Sequence, residues 1–275
     1  MKLKIGIVLV ALALLLGLGL AVYPLVSARH NERHQSKVQA SYLDCVAEAD
    51  ESEMEAAKAT ARAYNAQLLS GVVFGETEGL PYDSLLNPAG TGMMGYLEIP
   101  AIGVSLPIYH GTGESSLDKG VGHLSSLPIG GIGTHAVLTA HSGMATEKRF
   151  TDLDLLQTGD IFMLHILDEA LYYEVDQKQT VLPTETSALL IDPNQDYVTL
   201  VTCTPYGVNS HRLLVRGHRV EQRTEAEPTQ TDDAIRPSTW SAKYRQGIFI
   251  GCLLAAGIGA VTAGVLLWRR KRARQ

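Results

Sequence analysis

A cysteine and an arginine stand at the ends of two short apolar runs that follow one another in the sequence. Cys203 ends the β-branched run 197–203, which is typical of a buried strand closed by a turn. Arg212 begins a second run of this kind, 213–220. If the two strands lie side by side, the guanidinium stabilises the thiolate, which is the nucleophilic form of cysteine. The alternative interpretation is that Cys203 is a buried structural residue and that Arg212 is an ordinary surface residue.

A thiolate that attacks a carbonyl also needs a proton donor for the leaving group. The chain has nine histidines, and His141 is the best placed because it follows the apolar strand 136–140 and enters a loop, where it can face a groove. His165 lies in the middle of a predicted strand, which is typical of a core or surface residue. His123 and His211 lie near the same motifs, and we interpret both as structural.

The segments around these residues resemble the signature of sortases, the cysteine transpeptidases of Gram-positive cell surfaces. The similarity lies in TCTPYG at 202–207, NSHRLLVRG at 209–217 and THAVLTAHSG at 134–143. It is strongest over residues 95–220. With the membrane layout given below, the chain most resembles the pilus-assembling class C sortases. Ser142 stands where many sortases have arginine, and we expect this difference to affect specificity more than chemistry.

The resemblance implies a reaction and a role for each residue. Cys203 would attack the threonine carbonyl of an LPxTG-like sorting signal and form a thioester. His141 would protonate the departing amine, and Arg212 would bind the signal backbone or the oxyanion. A lysine amine of another pilin would then resolve the thioester, so that pili polymerise. The neighbouring residues expected to contact the substrate are Thr204, Ala140 and Ser142.

Other outcomes remain open at this stage. A cell-wall peptide amine as acceptor would make the protein a housekeeping-type sortase, and water would make it a membrane-tethered cysteine protease. A non-catalytic pilus-assembly scaffold is a further alternative. The expected partners are a pilin or surface protein with an LPxTG-like signal, an acceptor amine and the membrane. We predict no metal site, no cofactor and no nucleic acid, because no cluster of ligands stands out and the middle of the chain is acidic.

Two long apolar runs, 5–26 and 247–268, are each long enough to cross a hydrocarbon core of about 30 Å as a helix. The first exceeds the usual apolar region of a signal peptide, which favours an uncleaved anchor. Lys2 and Lys4 precede the first run and five basic residues lie in 269–275, whereas all 29 acidic residues lie between the runs. The positive-inside rule then predicts a two-span protein of the cell membrane with cytoplasmic termini and an extracellular catalytic domain.

The sequence predicts a mainly β fold with an N-terminal helical segment. Regular short strands favour a closed barrel or a sandwich, and the resemblance implies the sortase β-barrel of about eight strands. Besides the two motif strands, the predicted strands are 95–100, 104–109, 135–140, 161–167, 171–175 and 179–182. The glycine-rich stretch 120–123 is predicted to be a connection rather than a strand.

The predicted order of segments begins and ends in the cytoplasm. The loop before the barrel corresponds in position to the lid of class C sortases, but it lacks their Asp-Pro-aromatic mark. The residues that could substitute in such a lid are Phe74, Leu80 and Tyr82. The segments are 1–27 (tip and anchor), 28–70 (helical), 71–94 (loop, candidate lid), 95–221 (catalytic barrel), 222–246 (polar linker), 247–268 (transmembrane helix) and 269–275 (basic tail).

Overall fold

A computed structural model describes residues 2–69, 81–143, 149–221, 236, 246–252 and scattered positions from 255 to 272. Contacts divide the chain into two compact units: residues 30–236, and residues 1–29 together with 237–275. Within the described residues, no helix is both long and apolar enough to cross a membrane. The predicted linker 222–246 lies largely outside the described residues, and so does about half of the predicted second span 247–268.

Eight strands close into a barrel, which confirms the predicted mainly β class and strand number. The order around the barrel is β1-β2-β3-β4-β7-β8-β6-β5. Two neighbouring pairs, β2–β3 and β4–β7, are parallel, and the other six are antiparallel. The strands are β1 (Met93–Ile99), β2 (Val104–His110), β3 (Val121–Ser125), β4 (Thr134–Thr139), β5 (Ile161–Ile166), β6 (Glu169–Val181), β7 (Asp196–Thr204) and β8 (His211–Val220).

The prediction for 120–123 was wrong, because most of this stretch forms β3. Gly122 allows the strand to fit there: a Cβ atom at this position would lie 2.6 Å from the Gly111 carbonyl oxygen. The sequence pattern could not show this close approach. The separately predicted strands 171–175 and 179–182 are parts of one long strand, β6, whose pairing with β8 shifts between Val175 and Gln177.

Two long helices precede the barrel. Helix α1 (Lys2–Glu48) ends just before helix α2 (Glu51–Leu69), and a short helix α3 (Glu114–Leu117) connects β2 to β3. Polar contacts join the long helices to the barrel. The Tyr42 hydroxyl donates to the Met94 carbonyl and accepts from the Leu167 amide. The Asn65 side chain pairs with both the amide and the carbonyl of Leu127.

The core fills the barrel interior with alternate residues of each strand. On β7, Val198 and Leu200 are about 1% exposed or less and belong to the main core, whereas Val201 belongs to a separate apolar cluster. Because successive side chains of a strand point to opposite faces, Thr199, Val201 and Cys203 share the outer face. The outer face of β7 therefore carries the cysteine singled out by the sequence.

Candidate active site

Cys203 lies near the end of β7 and is partly exposed. The next strand holds Arg212 directly opposite it in the antiparallel register. Residues opposite each other in such a pair have Cα atoms about 4.5–5.5 Å apart, and their side chains share a face. The register thus places Cys203 and Arg212 opposite each other at one end of the outer face.

The Arg212 side chain is held by the turn that leads into its own strand. Its Nη1 donates to the carbonyl oxygens of Asn209 and His211, at 3.2 and 3.0 Å. These two bonds use one of the three guanidinium nitrogens. A planar fork anchored by one nitrogen can present its remaining N–H groups to a carbonyl oxygen of a bound peptide.

His141 follows β4, which runs parallel to β7. Thr139 is in register with Val201, and the Ala140 amide continues the ladder by donating to the Val201 carbonyl at 3.2 Å. Extending this register by two residues places His141 beside Cys203. The His141 carbonyl accepts from the Phe150 amide at 3.2 Å, so the backbone of this loop is tied back to the protein.

The three expected substrate contacts lie at the same end of the barrel in different environments. The Ser142 hydroxyl donates to the Cys203 carbonyl at 2.7 Å and joins the histidine loop to the cysteine strand. Thr204 is partly exposed and pairs with His211. Ala140 is buried, and its carbonyl accepts from the Thr202 hydroxyl at 2.8 Å. Their roles toward substrate remain predictions.

A small apolar cluster on the outer face was not recognised from the sequence. It consists of Val137 on β4, Val201 on β7 and Leu214 on β8, all of them buried. Val201 and Leu214 each lie two residues from Cys203 and Arg212 along their strands. We call this feature the outer cluster. The partly buried residues packed against it are Val181, Ala188 and Leu189, so the loop between β6 and β7 covers it.

The candidate lid residues fall in different parts of the chain. Phe74 and Leu80 lie outside the described residues. Tyr82 is packed onto the barrel: its hydroxyl is 2.8 Å from His123 Nδ1 and accepts from the Gly111 amide at 3.0 Å. Its ring meets His110 edge-on, with centroids 5.0 Å apart. Tyr82 can therefore anchor the end of the preceding loop, and a lid over Cys203 remains a prediction.

His123 is fully buried beside this tyrosine. Its Nε2 donates to the Ser126 carbonyl, 2.6 Å away, and its Nδ1 accepts from the Tyr82 hydroxyl. Burial lowers the pKa of His123 to about 4, the Ser126 bond opposes this change, and His110 adds to it. The structural role predicted for His123 agrees with this location. Within the described part of the chain, no cluster of His, Cys, Asp and Glu could hold a metal ion.

Comparison with known proteins supports the class indicated by this arrangement. A sequence model of the sortase domain matches residues 97–220. The crystal structure of sortase C1 from Streptococcus agalactiae has 47% sequence identity and a TM-score of 0.65, covering 67% of this chain and 98% of that one. The chain therefore belongs to the sortase family, and its similarity is to class C members.

Two further relatives define the extent of this similarity. Sortase C from Clostridium perfringens, solved with the C-terminal cell wall sorting motif, has 43% identity and a TM-score of 0.62, covering 68% of this chain and 99% of that one. Sortase D from Bacillus subtilis is 30% identical over 129 residues, which are 46% of this chain. This match spans 63% of the length of Sortase D.

Proposed function

We propose that this chain is a membrane-anchored cysteine transpeptidase that cleaves an LPxTG-like sorting signal and joins it to a lysine amine of another pilin. The observation that carries the proposal is the cross-strand pair of Cys203 and Arg212, with His141 two residues after β4, the parallel neighbour of the cysteine strand. A nucleophile, an acid–base group and a fixed cation at one partly exposed sheet end are the parts that acyl transfer requires.

In the first half-reaction, the Cys203 thiolate forms a bond to the threonine carbonyl carbon, and the carbonyl electron pair moves onto oxygen. Arg212 donates hydrogen bonds to this oxyanion or to the adjacent peptide oxygen. The oxyanion then collapses, the carbon–nitrogen bond breaks, and the imidazolium of His141 gives its proton to the departing amine. The products are a thioester on Cys203 and a free glycine amine.

In the second half-reaction, neutral His141 takes a proton from the incoming amine as it attacks the thioester carbon. The sulfur leaves as a thiolate, which returns Cys203 and His141 to their starting state. A lysine amine produces an isopeptide bond between two pilins, and water produces a free acid. The chemistry at Cys203 is the same in both cases, so the acceptor alone decides whether the enzyme polymerises or hydrolyses.

The outer cluster gives the surroundings of Cys203 an apolar character. An extended peptide with its threonine carbonyl at Cys203 would run along the outer face beside Val201 and Leu214, because strand residues on one face repeat every two positions. Apolar surroundings suit the leucine and proline of an LPxTG-like signal, and the structure of the Clostridium perfringens relative with a sorting motif supports this class of donor.

The membrane part of the proposal rests on the sequence. The apolar runs 5–26 and 247–268, with the basic residues that flank them, would place both termini in the cytoplasm and residues 28–246 outside. Protease added to intact protoplasts should then degrade the catalytic domain and spare a tag placed after Gln275. Loss of the tag without lysis would contradict this topology.

Competition between acceptors tests the choice of product. The full chain, purified in detergent, would be incubated with an LPxTG peptide, a pilin domain with an exposed lysine and a cell-wall peptide amine, followed by mass spectrometry. We expect an isopeptide bond to the pilin lysine. Preference for the cell-wall amine would support a housekeeping-type sortase, cleavage by water alone a protease, and the absence of any thioester a scaffold.

A further inference from the structure

The loop that carries His141 is held by residues 149–151, which we call the support segment. The His141 carbonyl accepts from the Phe150 amide at 3.2 Å, and the Gly143 amide donates to the Thr151 hydroxyl at 3.0 Å. His141 itself lies beyond β4, which ends at Thr139, so the ladder bonds of that strand do not reach it. The position of His141 therefore depends on the support segment.

Two side chains anchor the support segment inside the protein. Phe150 is fully buried and belongs to the main core. Arg149 is only 2% exposed, and its Nη2 donates to the Asp118 carbonyl oxygen at 2.6 Å. Asp118 follows α3 directly, in the connection to β3. The guanidinium thus joins the support segment to a part of the chain that is separate from the pairing of β4 with β7.

The backbone of Arg149 has a conformation that is unusual for its residue type. Its φ of 31° lies in the positive range, which costs free energy in a residue other than glycine and persists only where surrounding contacts fix it. The peptide unit that follows Arg149 carries the amide that is bonded to the His141 carbonyl. The direction of this amide therefore depends on the conformation in which Arg149 is held.

We propose that Arg149 and Thr151 are positioning residues that hold His141 where it can transfer a proton to the departing amine. This inference rests on the proposed transpeptidase function, in which His141 is the acid and base. Arg149 orients the Phe150 amide, and the Thr151 hydroxyl holds the Gly143 amide on the other side of Ser142. Loss of either attachment displaces the imidazole, which slows proton transfer more than it weakens donor binding.

Single-turnover acylation of the full chain with an LPxTG peptide separates binding from chemistry. For Thr151→Val we expect the maximal rate to fall about fivefold, while the peptide concentration that gives half-maximal rate stays within about twofold of the wild type. Thr151→Ser keeps the hydroxyl and should restore the rate. For Arg149→Met we expect a fall of about tenfold in the maximal rate. Arg149→Lys keeps the charge and a donor and should recover most of it.

Lys178→Met is the matched control for the arginine. The Lys178 ammonium donates to the carbonyl oxygens of Asp154 and Leu156, at 3.0 and 2.9 Å, further along the same connection between β4 and β5. Its loss removes bonds from a cation to backbone carbonyls without touching the support segment, so both kinetic quantities should stay within about twofold. A fall in maximal rate equal to that of Arg149→Met would overturn the inference.

A background without the imidazole shows whether the effect passes through His141. Residues that act as a unit are not additive, so Thr151→Val combined with His141→Ala should form the thioester as slowly as His141→Ala alone. A further fivefold fall in the double variant would overturn the inference, because it would show a general structural effect.

Hydrogen exchange reads the two attachments directly and does not depend on turnover. We expect the Gly143 amide to exchange faster in Thr151→Val, and the Phe150 amide to exchange faster in Arg149→Met, than in the wild type and in Lys178→Met. Unchanged exchange together with an unchanged maximal rate would contradict the positioning role. Should Arg149→Met not fold, Thr151→Val and Thr151→Ser carry the same comparison.

The outcomes keep the inference and the proposed function apart. If the wild type forms no thioester, the proposed function fails whatever the exchange data show. If the wild type is acylated and the folded Thr151→Val and Arg149→Met variants reach the same maximal rate, the inference alone fails.

Discussion

Cys203 on β7 lies directly opposite Arg212 on β8, and the pairs on either side are Thr202 with Leu213 and Thr204 with His211. A slip of one residue in this register would turn every side chain of one strand to the other face. Burial of Leu213, at 7% exposure, on the inner face resists such a slip. The pairing of Arg212 with Cys203 is thus fixed by core packing and not only by local contacts.

Arg212→Lys tests whether the geometry of the cation matters as well as its charge. Lysine keeps the positive charge but loses the planar fork that is held by Asn209 and His211. We expect the acylation rate to fall by at least about a hundredfold, equivalent to ~2.7 kcal/mol, with unfolding unchanged. Near-normal acylation by this variant in a quenched-flow assay would contradict the proposed role of Arg212.

Ser142→Ala removes the hydroxyl that donates to the Cys203 carbonyl. A net contribution of about 1 kcal/mol is typical of such a bond, so we expect acylation to slow by about fivefold as the histidine loop loosens. Ser210→Ala, which removes an exposed hydroxyl of the turn before β8, is the control. If Ser142→Ala were as fast as the wild type, the hydroxyl would not help to position the loop.

His123 should make the protein sensitive to acid. Its pKa is about 4 in the folded protein, against an ordinary value of 6.5. The unfolded chain takes up a proton as the pH falls below about 6.5 while the folded protein does not, so this contribution to stability is complete above pH 6.5 and is lost between pH 6.5 and 4. From pH 7.5 to 5.0 the expected loss is about 2 kcal/mol.

Urea unfolding followed by circular dichroism at these two pH values measures this loss. His123→Gln should be less stable than the wild type at pH 7.5. On acidification, however, its free energy of unfolding should fall by about 2 kcal/mol less, because its unfolding no longer includes the uptake of one proton by His123. His30→Gln changes an exposed histidine and should retain the wild-type pH dependence. The same pH dependence in His123→Gln and the wild type would refute this account.

Tyr82→Phe tests the anchor at the end of the loop before the barrel. The change leaves the Gly111 amide and the buried His123 Nδ1 without their partner. An unpaired buried polar group costs about 1–3 kcal/mol, so we expect a loss of about 2 kcal/mol in the free energy of unfolding. Tyr172→Phe, on a half-buried tyrosine of β6, should change this free energy by less than about 0.5 kcal/mol.

The same variant bears on the predicted lid. Since the Tyr82 hydroxyl ties this residue to His123 and Gly111, its loss should loosen the end of the loop and raise the rate at which iodoacetamide alkylates Cys203 by less than about tenfold. An increase of a hundredfold or more would mean that the loop closes firmly over the thiol.

Local patterns allowed some parts of this protein to be predicted and not others. The motif strands around Cys203 and Arg212 have strong β composition and clear turn residues, and the structure confirms the barrel to which they belong. Strand β3 was missed because a glycine at 122 is typical of a loop between strands. The strand forms through its parallel pairing with β2, which the local sequence does not show. The bond from His135 to Leu190 joins residues 55 positions apart. Only the parallel pairing of β4 with β7 brings such residues together.

The central claim is that Cys203 is the nucleophile of an acyl transfer. Intact-mass and peptide-level mass spectrometry of the full chain, quenched in acid soon after an LPxTG peptide is added without acceptor, tests it most directly. We predict a thioester adduct of the donor's acyl part on Cys203 in the wild type and in Cys45→Ala, and no adduct in Cys203→Ala, with the unfolding of all three alike. An adduct that persists in folded Cys203→Ala, or that maps to Cys45, would contradict the account.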